Sequence, residues 1–182
     1  MMKMPATVFA VQKLKGGISV FKGMLKTRAV ATAGIIAALY VVLTYVAHLF
    51  DLDSKAIQLR FSEALTILPV LTNAAIPGVT VGCLLANILM GCVPLDIALG
   101  PVATLLGAMG TWMMKDKPYL AWIPPVVSNM LIVPFVLLKG YGLPPETYLI
   151  NTLTVGAGEV LSCGVLGIML YRSIKDIPHL FA

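Results

Sequence analysis

Charge is what this chain has least of. Only 12% of its 182 residues are Asp, Glu, Lys or Arg, where a soluble domain carries about 25%. That leaves too few polar side chains to coat a globule in water. Histidine is scarce too: two residues, His48 and His179. There is no H-E-x-x-H, no G-x-S-x-G and no G-x-x-x-x-G-K-[ST]. These absences exclude the common zinc-protease and serine-hydrolase designs and ATP hydrolysis through a P-loop. Three cysteines, Cys83, Cys92 and Cys163, form no C-x-x-C and lie in apolar runs. They read as small buried hydrophobes rather than as a disulfide or metal framework. No metal, no cofactor and no enzymatic chemistry are expected.

What is present is apolar. Hydrophobic types make up 59% of the chain, and the mean hydropathy is +0.94. Between Ala29 and Met114 the charged residues are Asp51, Asp53, Lys55, Arg60, Glu63 and Asp96 alone. Lipid is therefore the solvent for most of the surface, and a multi-pass membrane protein follows. A crossing takes about 20 apolar residues, so the length allows about six.

Six apolar segments are read: 29–50, 61–72, 76–91, 95–114, 119–138 and 148–171. Turn signals separate them at Asn73 to Gly78, Gly91 to Pro94, Lys115 to Pro118 and Gly140 to Pro145. The predicted fold is an all-α bundle of six transmembrane helices over 29–182, after a basic cytoplasmic segment over 1–28. Six bases and no acid occupy 1–28. Beside a hydrophobic span this is an orientation signal rather than a nucleic-acid arm. It also lacks the apolar core and cleavage pattern of a secretory signal. With the N-terminus inside, ten Lys and Arg fall on the inner face and three on the outer. That bias predicts both termini in the cytoplasm. Trp112 and Trp122 then fall at inner span ends as interfacial anchors.

The second and third segments are short for a crossing, and Pro69 and Pro77 interrupt them. Backbone of this kind is tolerated only inside a bundle or along a cavity. Short, broken segments also point to a binding site.

Two acids stand out. Glu63 lies in Gln58-Leu-Arg-Phe-Ser-Glu-Ala-Leu65, three residues from Arg60 on one helix face. Either the two neutralise each other, or Glu63 faces a cavity and accepts hydrogen bonds from a ligand. Glu159 lies in Gly156-Ala-Gly-Glu159, halfway along the last span, with no base within a turn. A lone carboxylate there needs a partner on another helix or in a ligand. Asp96 opens the fourth segment, where it either offsets the helix dipole or faces the site. Asn87, Thr104, Asn129 and Asn151 add neutral polar groups, and Tyr45 with His48 could form one wall. Each alone is an ordinary helix–helix hydrogen-bonding residue. Together they suggest a pocket open to the outside. On the first span, Ala29, Ala33 and Ala37 recur every four residues beside Gly34 and Ala38. That stripe suits either internal packing or the docking of a second membrane protein.

Leu59-Arg-Phe-Ser-Glu-Ala-Leu65, Gly82 to Asn87, Asp96 to Gly100 with Ala103-Thr-Leu105, and Gly158-Glu159 together resemble the queuosine-precursor transporter family of QueT type. The resemblance covers about 29–172. It implies a substrate-binding S component of an energy-coupling factor (ECF) transporter in a prokaryotic plasma membrane. Such a protein takes its ligand from outside and works with a transmembrane scaffold protein and two cytoplasmic ATPases. The stripe Ala29, Ala33, Ala37 inherits the docking role. The implied ligand is a 7-deazaguanine such as queuine. One carboxylate can accept its adjacent N1–H and N2–H donors, and a second suits its cationic amine. Glu63 and Glu159 fit those needs. Asn129 or Asn151 would serve O6, and Tyr45 or Phe61 would stack on the ring. A different vitamin or nucleobase ligand is the nearest alternative. A small non-transport membrane protein is the further one.

Overall fold

The computed structural model describes residues 27–50 and 59–177. The basic segment before Thr27, the stretch 51–58 with Asp51, Asp53 and Lys55, and His179 lie outside the described residues. Helix α1 runs over Thr27–Leu49, followed by a 3-10 helix over Phe61–Val70. Then come α2 over Ala75–Leu89, α3 over Pro94–Met113 and α4 over Ile123–Lys139. The last span begins with α5 over Tyr148–Glu159. It continues through a π-helical stretch over Val160–Leu166 into α6 over Gly167–Ile174. Four stretches are long and apolar enough to cross a membrane: Thr27–Leu49, Pro94–Met113, Pro118–Lys139 and Pro145–Ile174. The 3-10 helix and α2 are the shorter apolar helices.

Helix boundaries follow backbone chemistry. Pro94 opens α3 at a position whose N–H has no helical partner anyway. Gly91 and Gly142 turn the chain with φ of +68° and +70°, a region that glycine enters freely. Pro77 and Gly78 depart from expectation. They lie in the first turn of α2 and not in the preceding turn, which falls at 71–74. Proline is tolerated in a first turn because the N–H it lacks would be unpaired there.

The short second segment is the axis of the fold. All but its first and last residues are buried, and it touches α1, α2, α3, α6 and the π-helical stretch. Its winding answers the length problem. A 3-10 helix rises about 2.0 Å per residue against about 1.5 Å for an α-helix. Ten residues therefore reach about 20 Å, which an α-helix of that length cannot. Thr44 Oγ1 donates to Ser62 Oγ at 2.9 Å and ties α1 to its N-terminal end.

Around that axis the helices pack in sequence order: α1 on α2, α2 on α3, α3 on α4, α4 on α5. Without a hydrophobic drive between helices in lipid, close approach decides which faces meet. At Gly82 an added Cβ would stand 2.6 Å from Tyr40 Cβ and 3.1 Å from Ala37 Cα. At Gly110 it would stand 2.4 Å from Pro124 Cβ. Ser128 Oγ donates to the Ala103 carbonyl at 2.9 Å, and Thr111 Oγ1 to that of Ala121 at 2.8 Å. Outward faces are apolar, as at Ile35, Leu39 and Val42 on α1. Replacing Gly82 with Val should therefore cost about 2 kcal/mol or more, by forcing α1 and α2 apart. Thermal unfolding in detergent, beside a Gly34→Val control that meets nothing within 4 Å, checks this.

Candidate functional site

The bundle interior carries polar side chains at its centre. Glu63 is 1% exposed and Glu159 5%. They come from different elements, the 3-10 helix and the end of α5. One ligand atom from each of Glu63, Glu159 and Cys163 fits within a 4.8 Å separation. The two acids singled out in the sequence are thus brought to one place.

Each is held by neighbours. The buried Tyr40 hydroxyl donates to Glu63 Oε1. Cys163 Sγ donates to Glu159 Oε2 at 3.2 Å. Thr66 Oγ1 stands 3.4 Å from Cys163 Sγ and donates to the Glu63 carbonyl at 2.6 Å. Asn129 on α4 approaches both carboxyl groups. Even so, Glu63 Oε2 accepts no well-formed hydrogen bond among the described residues. A second polar group sits on α2 and α3. Asn87 Nδ2 donates to the Asp96 carbonyl at 3.0 Å, and Tyr141 Oη to Asp96 Oδ2 at 3.2 Å. Burial, with Asp96 beside it, pushes the Tyr141 phenol up from its usual range, so it remains a donor at neutral pH. At Gly100 an added Cβ would meet Asn87 Nδ2 at 2.6 Å. Cys83 lies between the groups, near Tyr40, Thr104 and the open face of Gly100. A polar track therefore runs from Asp96 to Glu159 through an otherwise apolar bundle. Arg60 is electrostatically coupled to Asp96, Tyr40 and Glu63 along it.

The direct ion pairs among the described residues do not include Arg60 with Glu63. Arg60 sits in extended backbone just before the 3-10 helix, so the two do not share a helix face. Asp96 lies in the first turn of α3 and accepts from Tyr141 Oη in the polar track. Other candidates stay apart from the acids. Asn151 Nδ2 donates to Thr147 Oγ1 at 3.0 Å within its own turn, about 12 Å along the helix from Glu159. Tyr45 is 50% exposed. Five residues along a helix turn a side chain by about 140°, so α1 cannot turn both Tyr45 and Tyr40 inward. Phe61 is partly buried at the start of the 3-10 helix, and His48 is exposed.

The small residues of α1 divide between two faces. Ala37 is buried and Ala29 and Ala33 are partly so, with Ala33 and Ala37 set against Gly78 and Gly82 of α2. Ala31, Gly34 and Ala38 are exposed instead. Sequence reasoning missed Tyr40, Thr66 and Cys163. Tyr40 continues the inward spacing of Ala33 and Ala37, and Cys163 follows Glu159 by one turn, so both signals were present. The cysteines are free, as expected, with Cys83 and Cys163 buried.

A lipid-facing helical bundle around a buried polar track defines a multi-pass membrane protein. The family described as QueT transporter matches residues 30–176. The chain belongs to that family. The Queuosine precursor transporter QueT of Lactococcus lactis subsp. cremoris (strain MG1363) is 36% identical over 81 residues, 44% of this chain. The match spans about half of that relative, 47% of its length. No solved structure matches the chain at a significant level.

Proposed function

We propose that this chain is a substrate-binding S component that captures a queuosine precursor, a 7-deazaguanine such as queuine, for ATP-driven import by an ECF-type transporter. The observation that carries the reading is the convergence of Glu63 and Glu159, with Asn129 beside both, inside a bundle that is otherwise apolar. Intramembrane carboxylates are costly and mark substrate paths. The family and the Lactococcus relative, a queuosine precursor transporter, support the ligand class. Ten bases inside against three outside support six crossings with both termini in the cytoplasm, the 3-10 helix and α2 making the two shorter ones.

The sequence carries no P-loop, and in this reading ATP is hydrolysed by two ATPases joined to the chain through a scaffold protein. The exposed small face of α1, Ala31, Gly34 and Ala38, suits close approach by that scaffold. It takes over the docking role first given to Ala29, Ala33 and Ala37. Native mass spectrometry of protein purified from cells supplied with queuine should show a bound 7-deazaguanine. A vitamin or another nucleobase in its place would reject the ligand. Co-expressed scaffold and ATPases should co-purify, and Gly34→Leu should release them while the ligand stays bound.

A further inference from the structure

A flat 7-deazaguanine presents two recognition ends. The six-membered ring offers N1–H and N2–H, and the five-membered ring carries the substituent at C7. Two carboxylates that converge within 4.8 Å do not reach both ends separately, so they act on one. One carboxylate already accepts both ring donors. Two of them at one neutral edge would leave an excess of negative charge in a low-dielectric interior. An ammonium group, with three N–H donors and a positive charge, matches two carboxylates together. Glu63 has such a bond to give: it is 1% exposed, its carboxylate belongs to the convergent set, and its Oε2 accepts no well-formed hydrogen bond among the described residues.

Resting on the deazaguanine reading, we propose that the Glu63–Glu159 pair is the seat of the ligand's ammonium group and selects amine-bearing 7-deazaguanines over uncharged ones. A nitrile at C7 turns a lone pair toward the two carboxylates and is repelled. Discrimination then comes from repulsion as well as attraction. Asn129, close to both acids, helps to hold the pair for this role.

Calorimetry on the full chain in lipid nanodiscs, with 7-aminomethyl-7-deazaguanine and 7-cyano-7-deazaguanine as probes, tests it. The amine should bind tighter than the nitrile by ~100-fold. Glu159→Gln and Glu63→Gln should each reduce that ratio to within about tenfold by weakening the amine alone. Equal or tighter binding of the nitrile by the unsubstituted chain overturns the inference and leaves the deazaguanine reading standing. Variants that lose both probes in equal measure also overturn it, because a structural role would act on both. Failure of the unsubstituted chain to bind either probe removes the deazaguanine reading and this inference with it. The ratio measured on the unsubstituted chain decides the matter even if a variant fails to fold.

Discussion

Glu63→Ala is expected to weaken binding of an amine-bearing 7-deazaguanine by about a thousandfold, close to 4 kcal/mol. Two losses combine. The ligand loses a buried, charged acceptor, and truncating one partner of a buried charged pair costs about 2–5 kcal/mol. The Tyr40 hydroxyl, 2% exposed, also loses the oxygen it donates to. An orphaned buried donor costs a further 1–3 kcal/mol or so, part of which falls on stability. Tyr40→Phe separates the contributions, since it keeps the carboxylate and removes its holder. A loss of about tenfold is expected there. Asn151→Ala and Tyr45→Ala should remain within about threefold of the unsubstituted chain. The first is engaged with Thr147, and the second is half exposed. Calorimetry on the four purified variants checks the ranking. Equal losses at Glu63 and Asn151 would remove the site from the centre of the bundle.

The contrast between Tyr40 and Tyr45 shows what the sequence could and could not say. Composition alone was enough to make lipid the solvent, and glycine and proline bounded the helices to within a few residues. The acids were legible because an ionisable group in a membrane segment is conspicuous by its cost. Helix rotation was not legible. In a soluble helix the polar face marks the outside. In α1 the lipid face and the core face are both apolar, at Ile35 and Leu39 outside and at Ile36 and Tyr40 inside, so periodicity carries almost no contrast. What fixed the rotation was the crossing at Gly78 and Gly82, a property of two helices together. The alanine stripe suited internal packing or the docking of a second membrane protein; Ala33 and Ala37 pack against Gly78 and Gly82, while Ala31, Gly34 and Ala38 are exposed.

Winding was the other hidden feature, and it carries the second large effect. The last span looks like one continuous apolar helix in the sequence, yet Val160–Leu166 is π-helical. Such a stretch holds one residue more than the α-helix it interrupts and commonly occurs at functional sites. Here it begins directly after Glu159 and contains Cys163, whose thiol reaches back to Glu159 Oε2 at 3.2 Å. Deleting one lipid-facing residue, Leu161, 43% exposed, should let the span wind as a regular α-helix. The register of α5 and of α6 against their neighbours would be kept, because the deletion removes the extra residue and not a turn. Between them, Cys163 would move to three residues from Glu159, and its thiol would no longer meet Oε2 in the present geometry. Glu159 would lose the thiol that fixes its orientation toward Glu63. Ligand affinity should fall by roughly 100-fold, about 3 kcal/mol, while thermal stability changes little. Deleting Leu153, also lipid-facing at 60% exposure but within α-helical α5, removes a residue the register needs. It should rotate everything before it by about 100° and lower stability as well. If both deletions unfold the protein alike, the π-helical stretch is not a separable device for aiming Glu159. If only the Leu153 deletion does, and the Leu161 deletion weakens ligand binding as expected, the extra residue exists to point that carboxylate at the ligand.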